Sequence, residues 1–157
     1  MIRPLTAALA ALLLLAGPAV AMTPAPSTEA SPVTGGSDYD KAVALIDDER
    51  YAEAIPLLEL AVKKNPKSPD AWSQLGYASR KSGNWKAGEG YYAKALALDP
   101  DHQEAIEYLG ELYLETNRPD EAKAQLAKLV KLCPDGCEAR SELEEAMEAY
   151  ARKNKKK

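Results

Sequence analysis

Apolar residues recur along this chain at the i, i+3, i+4 spacing of amphipathic helices, in paired runs of about a dozen residues. Trp72, Leu75 and Gly76 share one helix face, and Tyr92, Ala95 and Leu96 share a face of the next helix. Gly83-Asn84 supplies the polar turn between them, and Asp99-Pro100 ends the second. The pattern then repeats with a period of 34, as Ala61, Ala95 and Leu129, or Pro66, Pro100 and Pro134, show. A fixed period of this size marks stacked supersecondary units. Three units follow, 35–68, 69–102 and 103–136. One helix pair cannot bury its own apolar face, and about three stacked pairs are needed for a stable array. Beyond Gly136 the register is expected to stop. A single helix over 138–152, with Leu143, Met147 and Tyr150 on one face, is expected to cap the stack. The predicted fold is all-α.

Trp72, Leu75, Gly76, Gly83, Trp85, Tyr92, Ala95 and Pro100 together resemble the tetratricopeptide repeat (TPR) signature. Leu109, Gly110, Tyr113, Ala122, Leu126 and Pro134 repeat it, and Ala42, Leu45, Tyr51, Ala54, Leu58, Ala61 and Pro66 give a weaker first copy. The resemblance is to a small exported bacterial member of the family. It implies an α-solenoid of three helix pairs plus a C-terminal capping helix, with a concave face that binds other proteins. Small residues stand where paired helices must approach: Ala42 with Ala54, Gly76 with Gly88, Gly110 with Ala122. Lys41 and Ser79 depart from the family pattern. Gly90 is expected to point outward, where it costs about 1 kcal/mol relative to Ala with no packing reason. The second helix of the second unit is therefore expected to be the softest of the array. Pro119 falls in a first helical turn, and Pro56 deep enough to bend its helix slightly.

The ends of the chain have a different composition. Arg3, the apolar run Leu5 to Gly17 and the small-x-small motif Ala19-Val20-Ala21 read as a secretory signal peptide over 1–21, cleaved after Ala21. The following 22–36 stretch, rich in Pro, Thr, Ser, Ala and Gly, is expected to be a disordered linker. The folded domain is then 37–152, followed by a basic tail over 153–157. A periplasmic or secreted protein is the expectation.

The formal net charge is -4, and cleavage would remove Arg3 and leave about -5. The dense basic run is Arg152 to Lys157, so nucleic acid is not an expected partner. Membrane contact is expected only through an uncleaved signal or this tail. Cys133-Pro134-Asp135-Gly136-Cys137 places two cysteines on a tight turn between the last repeat helix and the cap. An exported chain with an even cysteine count favours a structural disulfide, Cys133 to Cys137, which holds the cap against the third unit. A redox-active couple is the alternative. His102 reads as a turn residue, and Asp99, Asp101 and Glu104 as part of the Asp-Pro turn that ends the repeat rather than a calcium site. No phosphate loop, nucleophile elbow or acid/base pair is visible. The expectation is a non-enzyme with no cofactor, no metal and no small-molecule substrate.

The resemblance implies that the first helix of each pair lines the groove. Its groove positions map to Tyr39, Val43, Ile46 and Asp47, then to Asp70, Ser73, Tyr77, Arg80 and Lys81, and finally to Glu104, Glu107, Glu111, Leu114 and Glu115. The TPR variety that clamps a free C-terminus needs Lys and Asn where Tyr39, Val43 and Ser73 stand, so that activity is not expected. Glu104, Glu107, Glu111 and Glu115 share one helical stripe. An electronegative groove end of this kind would accept Lys or Arg of a partner segment, extended or helical, while Tyr39, Val43 and Ile46 give an apolar anchor at the other end. The expected function is a protein–protein adaptor of the cell envelope. The alternative is a spacer that associates with itself as a homo-oligomer.

Overall fold

The structure, a computed structural model, describes residues 37–155. The expected signal peptide, its cleavage point and the linker lie outside the described residues.

Among the described residues seven α-helices run in order: α1 (Asp38–Asp47), α2 (Tyr51–Lys64), α3 (Pro69–Lys81), α4 (Trp85–Leu98), α5 (Gln103–Glu115), α6 (Pro119–Leu132) and α7 (Glu138–Asn154). Each first helix pairs with its successor, and each pair stacks on the next. The odd-numbered helices α1, α3, α5 and α7 touch one another in sequence, whereas α2, α4 and α6 meet no helix of their own set. Helices in contact on one side and separated on the other make a curved stack, with the odd helices on the inside.

Local sequence explains the helix starts. Ser37 caps α1 in a reciprocal box with Asp40, and Ser68 accepts from the Ala71 N–H at the head of α3. His102 stands one period after Ser68 and does the same work: its Nδ1 accepts from the Ala105 N–H at 3.2 Å, so Nε2 carries the proton and donates to Asp70 at 2.9 Å. Pro56 lies inside α2, which runs unbroken from Tyr51 to Lys64. The turns between paired helices repeat as well, with left-handed backbone at Glu49 (φ 58°), Gly83 (φ 83°) and Asn117 (φ 61°).

The glycines show how closely the helices approach. A Cβ on Gly88 would lie 3.1 Å from the Gly76 carbonyl oxygen, which matches the expected pairing. Around Gly90 there is open space, also as expected. At Gly110 the atoms a Cβ would meet first belong to Leu143 of α7, at 2.6 Å, a contact the sequence reading did not include.

The helix α7 caps the stack as expected, but the 34-residue spacing continues into it past Gly136, where the register was expected to stop. Ala139 and Leu143 are buried, as Ala105 and Leu109 are one period earlier. The helix also runs past Arg152 through Asn154, so the first residues of the basic tail are helical. Cations there face the negative end of the helix dipole.

Candidate functional site

The inner surface formed by α1, α3, α5 and α7 carries three adjoining clefts that share residues. The first, about 340 Å³, lies between α1 and α3 and is lined by Val43, Ile46, Asp47 and Tyr77. The second, about 740 Å³, is lined by Tyr77, Arg80, Lys81, Glu107, Glu111 and residues of α7. The third, about 550 Å³, opens where the N-terminal ends of α3, α5 and α7 converge. Tyr77 and Tyr108 form the floor, with ring centroids 4.7 Å apart.

Charge is distributed unevenly over this surface. The third cleft is lined by the carboxyl groups of Asp70, Asp99, Asp101, Glu104, Glu107, Glu138 and Glu142, with His102 beside them and no Lys or Arg. In the middle cleft Arg80 reaches across from α3 to α5. One terminal nitrogen lies 2.6 Å from Glu111 and the other 2.8 Å from Glu115, with the Tyr77 ring centroid 5.3 Å away. Glu115 also accepts from the Trp85 indole N–H at 3.0 Å. Burial opposes charge on Arg80, yet Tyr92, Glu111 and Glu115 hold its pKa above the ordinary arginine value. Lys81, exposed, lies over the rings of Tyr51 and Tyr77 at 5.6 and 5.8 Å.

Glu107 is only 2% exposed. Burial, with Glu111 and Glu142 nearby, pushes its carboxyl up to about 9. Tyr77 is likewise pushed up to about 12, mainly by burial. Glu142 is raised by burial and by Glu138 and Glu111.

The structure therefore sorts the groove residues named from the sequence. Val43, Ile46, Asp47, Asp70, Tyr77, Arg80, Lys81, Glu104, Glu107 and Glu111 line the clefts. Tyr39 is half-buried and packs beside the first core cluster. Ser73 is fully buried. Leu114 does not line the clefts: it is 8% exposed and packs with Ile106, Ala122 and Leu129. Its register partners straddle the boundary, since Ile46 packs against the first core cluster and Arg80 is buried, yet each also lines a cleft. Glu115 stands outside the clefts, held by Arg80 and Trp85. The four-carboxylate stripe is thus divided: Glu111 and Glu115 are paired within the chain, while Glu104 and Glu107 face the acidic cleft with α7.

Sequence reasoning missed Tyr108 and the acids of α7. A signal for both was present. Tyr108 lies four residues after Glu104 on the same helix face. Glu138, Glu142 and Glu145 lie one period after Glu104, Tyr108 and Glu111. Ending the register at Gly136 hid the acids of α7.

At the loop before α7, the Cys133 and Cys137 sulfurs are at disulfide distance, with Cα atoms 5.9 Å apart. Arg140 donates to the Pro134 carbonyl at 3.1 Å, a second tie between this loop and α7. Among the described residues no group of His, Cys, Asp or Glu is arranged to hold a metal ion, and no helix is long and apolar enough to cross a membrane.

Comparison with known proteins accords with this geometry. No curated protein matches the sequence. Among solved structures, the second TPR domain of human RPAP3 in complex with an HSP70 peptide is 19% identical, covers 70% of this chain and 92% of its own, and superposes with a TM-score of 0.63. The Yersinia enterocolitica type III secretion chaperone SycD, in complex with a peptide of the translocator YopD, is 17% identical, with coverage of 74% and 92% and a TM-score of 0.65. The Sgt2 TPR domain from Aspergillus fumigatus is 22% identical, with coverage of 75% and 77% and a TM-score of 0.65. At these identities the likeness concerns the fold. The sequence itself matches the tetratricopeptide repeat family over residues 45–90 and 79–141, most of the described helices, and so the chain belongs to the tetratricopeptide repeat family.

Proposed function

We propose that this protein is a non-catalytic adaptor of the cell envelope that holds a basic segment of a partner protein against its inner face. The observation that carries this reading is the cleft at the N-terminal ends of α3, α5 and α7, where seven carboxyl groups converge without a Lys or Arg among the lining residues. A surface of one sign both attracts and selects a partner of the other. The apolar side chains of Val43 and Ile46 at the α1 end would seat the uncharged part of the same segment. Peptide complexes of RPAP3 and SycD support a segment as the form of the partner. The leader-like residues 1–21 support export, and the Cys133–Cys137 pair fits an oxidising compartment.

Because Glu111 and Glu115 hold Arg80, charge reversal belongs at Glu104, Glu138 and Glu142 instead. A photo-crosslinking amino acid at position 108, in cells of the source organism, should trap a partner through a Lys/Arg-rich stretch. The same probe at Leu98, exposed and absent from the three clefts, should not. The triple variant Glu104→Lys, Glu138→Lys, Glu142→Lys should lose the adduct. Adducts that persist in the triple variant, or that map to an acidic stretch, would refute the proposal.

A further inference from the structure

Glu107 is set apart from the other acids of the inner face. The residue is only 2% exposed, and its carboxyl pairs with no other described side chain. It lines both the acidic cleft and the middle cleft. Among the described residues the fully buried side-chain atoms without a partner are Ser73 Oγ, Arg80 Nε and Tyr92 Oη, so the Glu107 oxygens keep a narrow exposure to these clefts. A nearly buried acid that opens onto a cleft is costly to ionise and invites an explanation. Arg80 does not supply one, since its terminal nitrogens are committed to Glu111 and Glu115.

We propose, on the adaptor reading above, that Glu107 is the anchor of a one-residue subsite between α5 and α7 that takes the charged head of a Lys or Arg side chain from the bound segment. The surroundings select that occupant. Glu104, Glu138 and Glu142 line the same cleft and repel anions, while Tyr108 presents a ring beside it. The carboxyl is deep, so a cation must arrive on a long, slender stem; Lys and Arg have one.

The occupant changes the protonation of its anchor. Facing Glu107 are Arg80 from α3, Tyr92 from α4, Glu104, Tyr108 and Glu111 from its own helix, and Glu142 from α7. Burial and the surrounding acids outweigh Arg80, so the free carboxyl is protonated at neutral pH, consistent with a pKa of about 9. An arriving ammonium or guanidinium stabilises the carboxylate, the carboxyl proton leaves to solvent, and an ion pair remains. Binding then releases one proton, and by linkage affinity rises about tenfold per pH unit well below the pKa and levels off as pH 9 is approached.

The probe is a fluorescein-labelled octapeptide of alternating Lys and Ala, whose lysines stay charged over that range. Its affinity for the full chain is measured by anisotropy at pH 6.5, 7.5 and 8.5, and the protons released by calorimetry at pH 7.5 in two buffers of different ionisation enthalpy. Wild type should bind about tenfold more tightly at pH 8.5 than at pH 7.5 and release close to one proton. Glu107→Gln, which mimics the protonated form and should fold, is expected to bind at least tenfold more weakly at pH 8.5, with no pH slope and no proton release. Glu104→Gln should keep the slope. If Glu107→Gln matches wild type in affinity and slope while the Glu104/Glu138/Glu142 reversal abolishes binding, the subsite is wrong and the adaptor groove stands. If neither variant changes binding, both are wrong. If Glu107→Gln fails to fold, wild-type proton release decides alone, and none would overturn the subsite.

Discussion

The joint between the first and second units and the joint between the second and third occupy the same register but are held by different chemistry. At the first, Ile46 of α1 packs into a cluster of Leu58, Leu75 and alanines. At the second, the residue one period later is Arg80, whose buried guanidinium bridges to Glu111 and Glu115 of α5. One period after that, Leu114 is again apolar core. A repeat can therefore carry a charge at an inward position if the next unit provides counter-charges. The dependence is one-sided, because losing the cation leaves two acids facing each other near Glu107. Such an arrangement need not add stability over an apolar joint, but breaking it is costly.

The largest expected effect comes from breaking that second joint. Arg80→Ala should destabilise the fold by about 3 kcal/mol, at the lower end for a buried ion pair because both acids are partly exposed. Ile46→Ala at the first joint removes only part of a half-buried side chain and should cost less. Urea unfolding of the two variants reads the contrast, and equal losses would mean that Arg80 is no more critical than the apolar residue in its register.

The closed end sharpens the comparison in a second way. Ala42, Gly76 and Gly110 share a register position, and the side chain admitted differs at each. Ala42 already carries a Cβ in full burial. At Gly76 the missing Cβ makes room for the Tyr92 ring, and at Gly110 for Leu143 of α7. Gly110→Ala should force Leu143 aside and cost about 2 kcal/mol, the usual scale of overpacking. The loss should appear as faster hydrogen exchange in α7, with α1 and α2 unaffected. Uniform loss of protection across all helices would contradict α7 being held mainly at this contact.

These cases show what the sequence could and could not reveal. The helix pairs and their turns follow from the 34-residue period and its helical spacing, and the resemblance to the tetratricopeptide repeat family placed Val43, Tyr77 and Glu104 on the inner face without coordinates. Leu114 could not be placed correctly, because a position at the boundary between groove and core depends on a few degrees of helix rotation set by packing. The acids of α7 were missed because the register was expected to stop at Gly136, although the loop Cys133 to Cys137 keeps both the periodic Pro134 and the spacing. Nor does spacing disclose that Glu107 is buried, since α7 is part of what covers it.

The smallest expected effect returns to the first unit. The turn positions 49, 83 and 117 all adopt left-handed backbone, but only the second is glycine. Asn tolerates this conformation, and Glu has no such adaptation. Glu49→Gly should relieve that strain and add about 0.5–1 kcal/mol, less whatever flexibility glycine gives the unfolded chain. The reverse change, Gly83→Glu, should cost a similar amount at the second turn. Glu49 makes no hydrogen bond through its side chain among the described residues, and a Cβ on Gly83 would meet open space, so both changes act through the backbone alone. Opposite shifts in melting temperature at the two turns would show that the first unit carries strain which the second avoids. Shifts of the same sign would mean that the side chain at the turn, and not its backbone conformation, sets the difference.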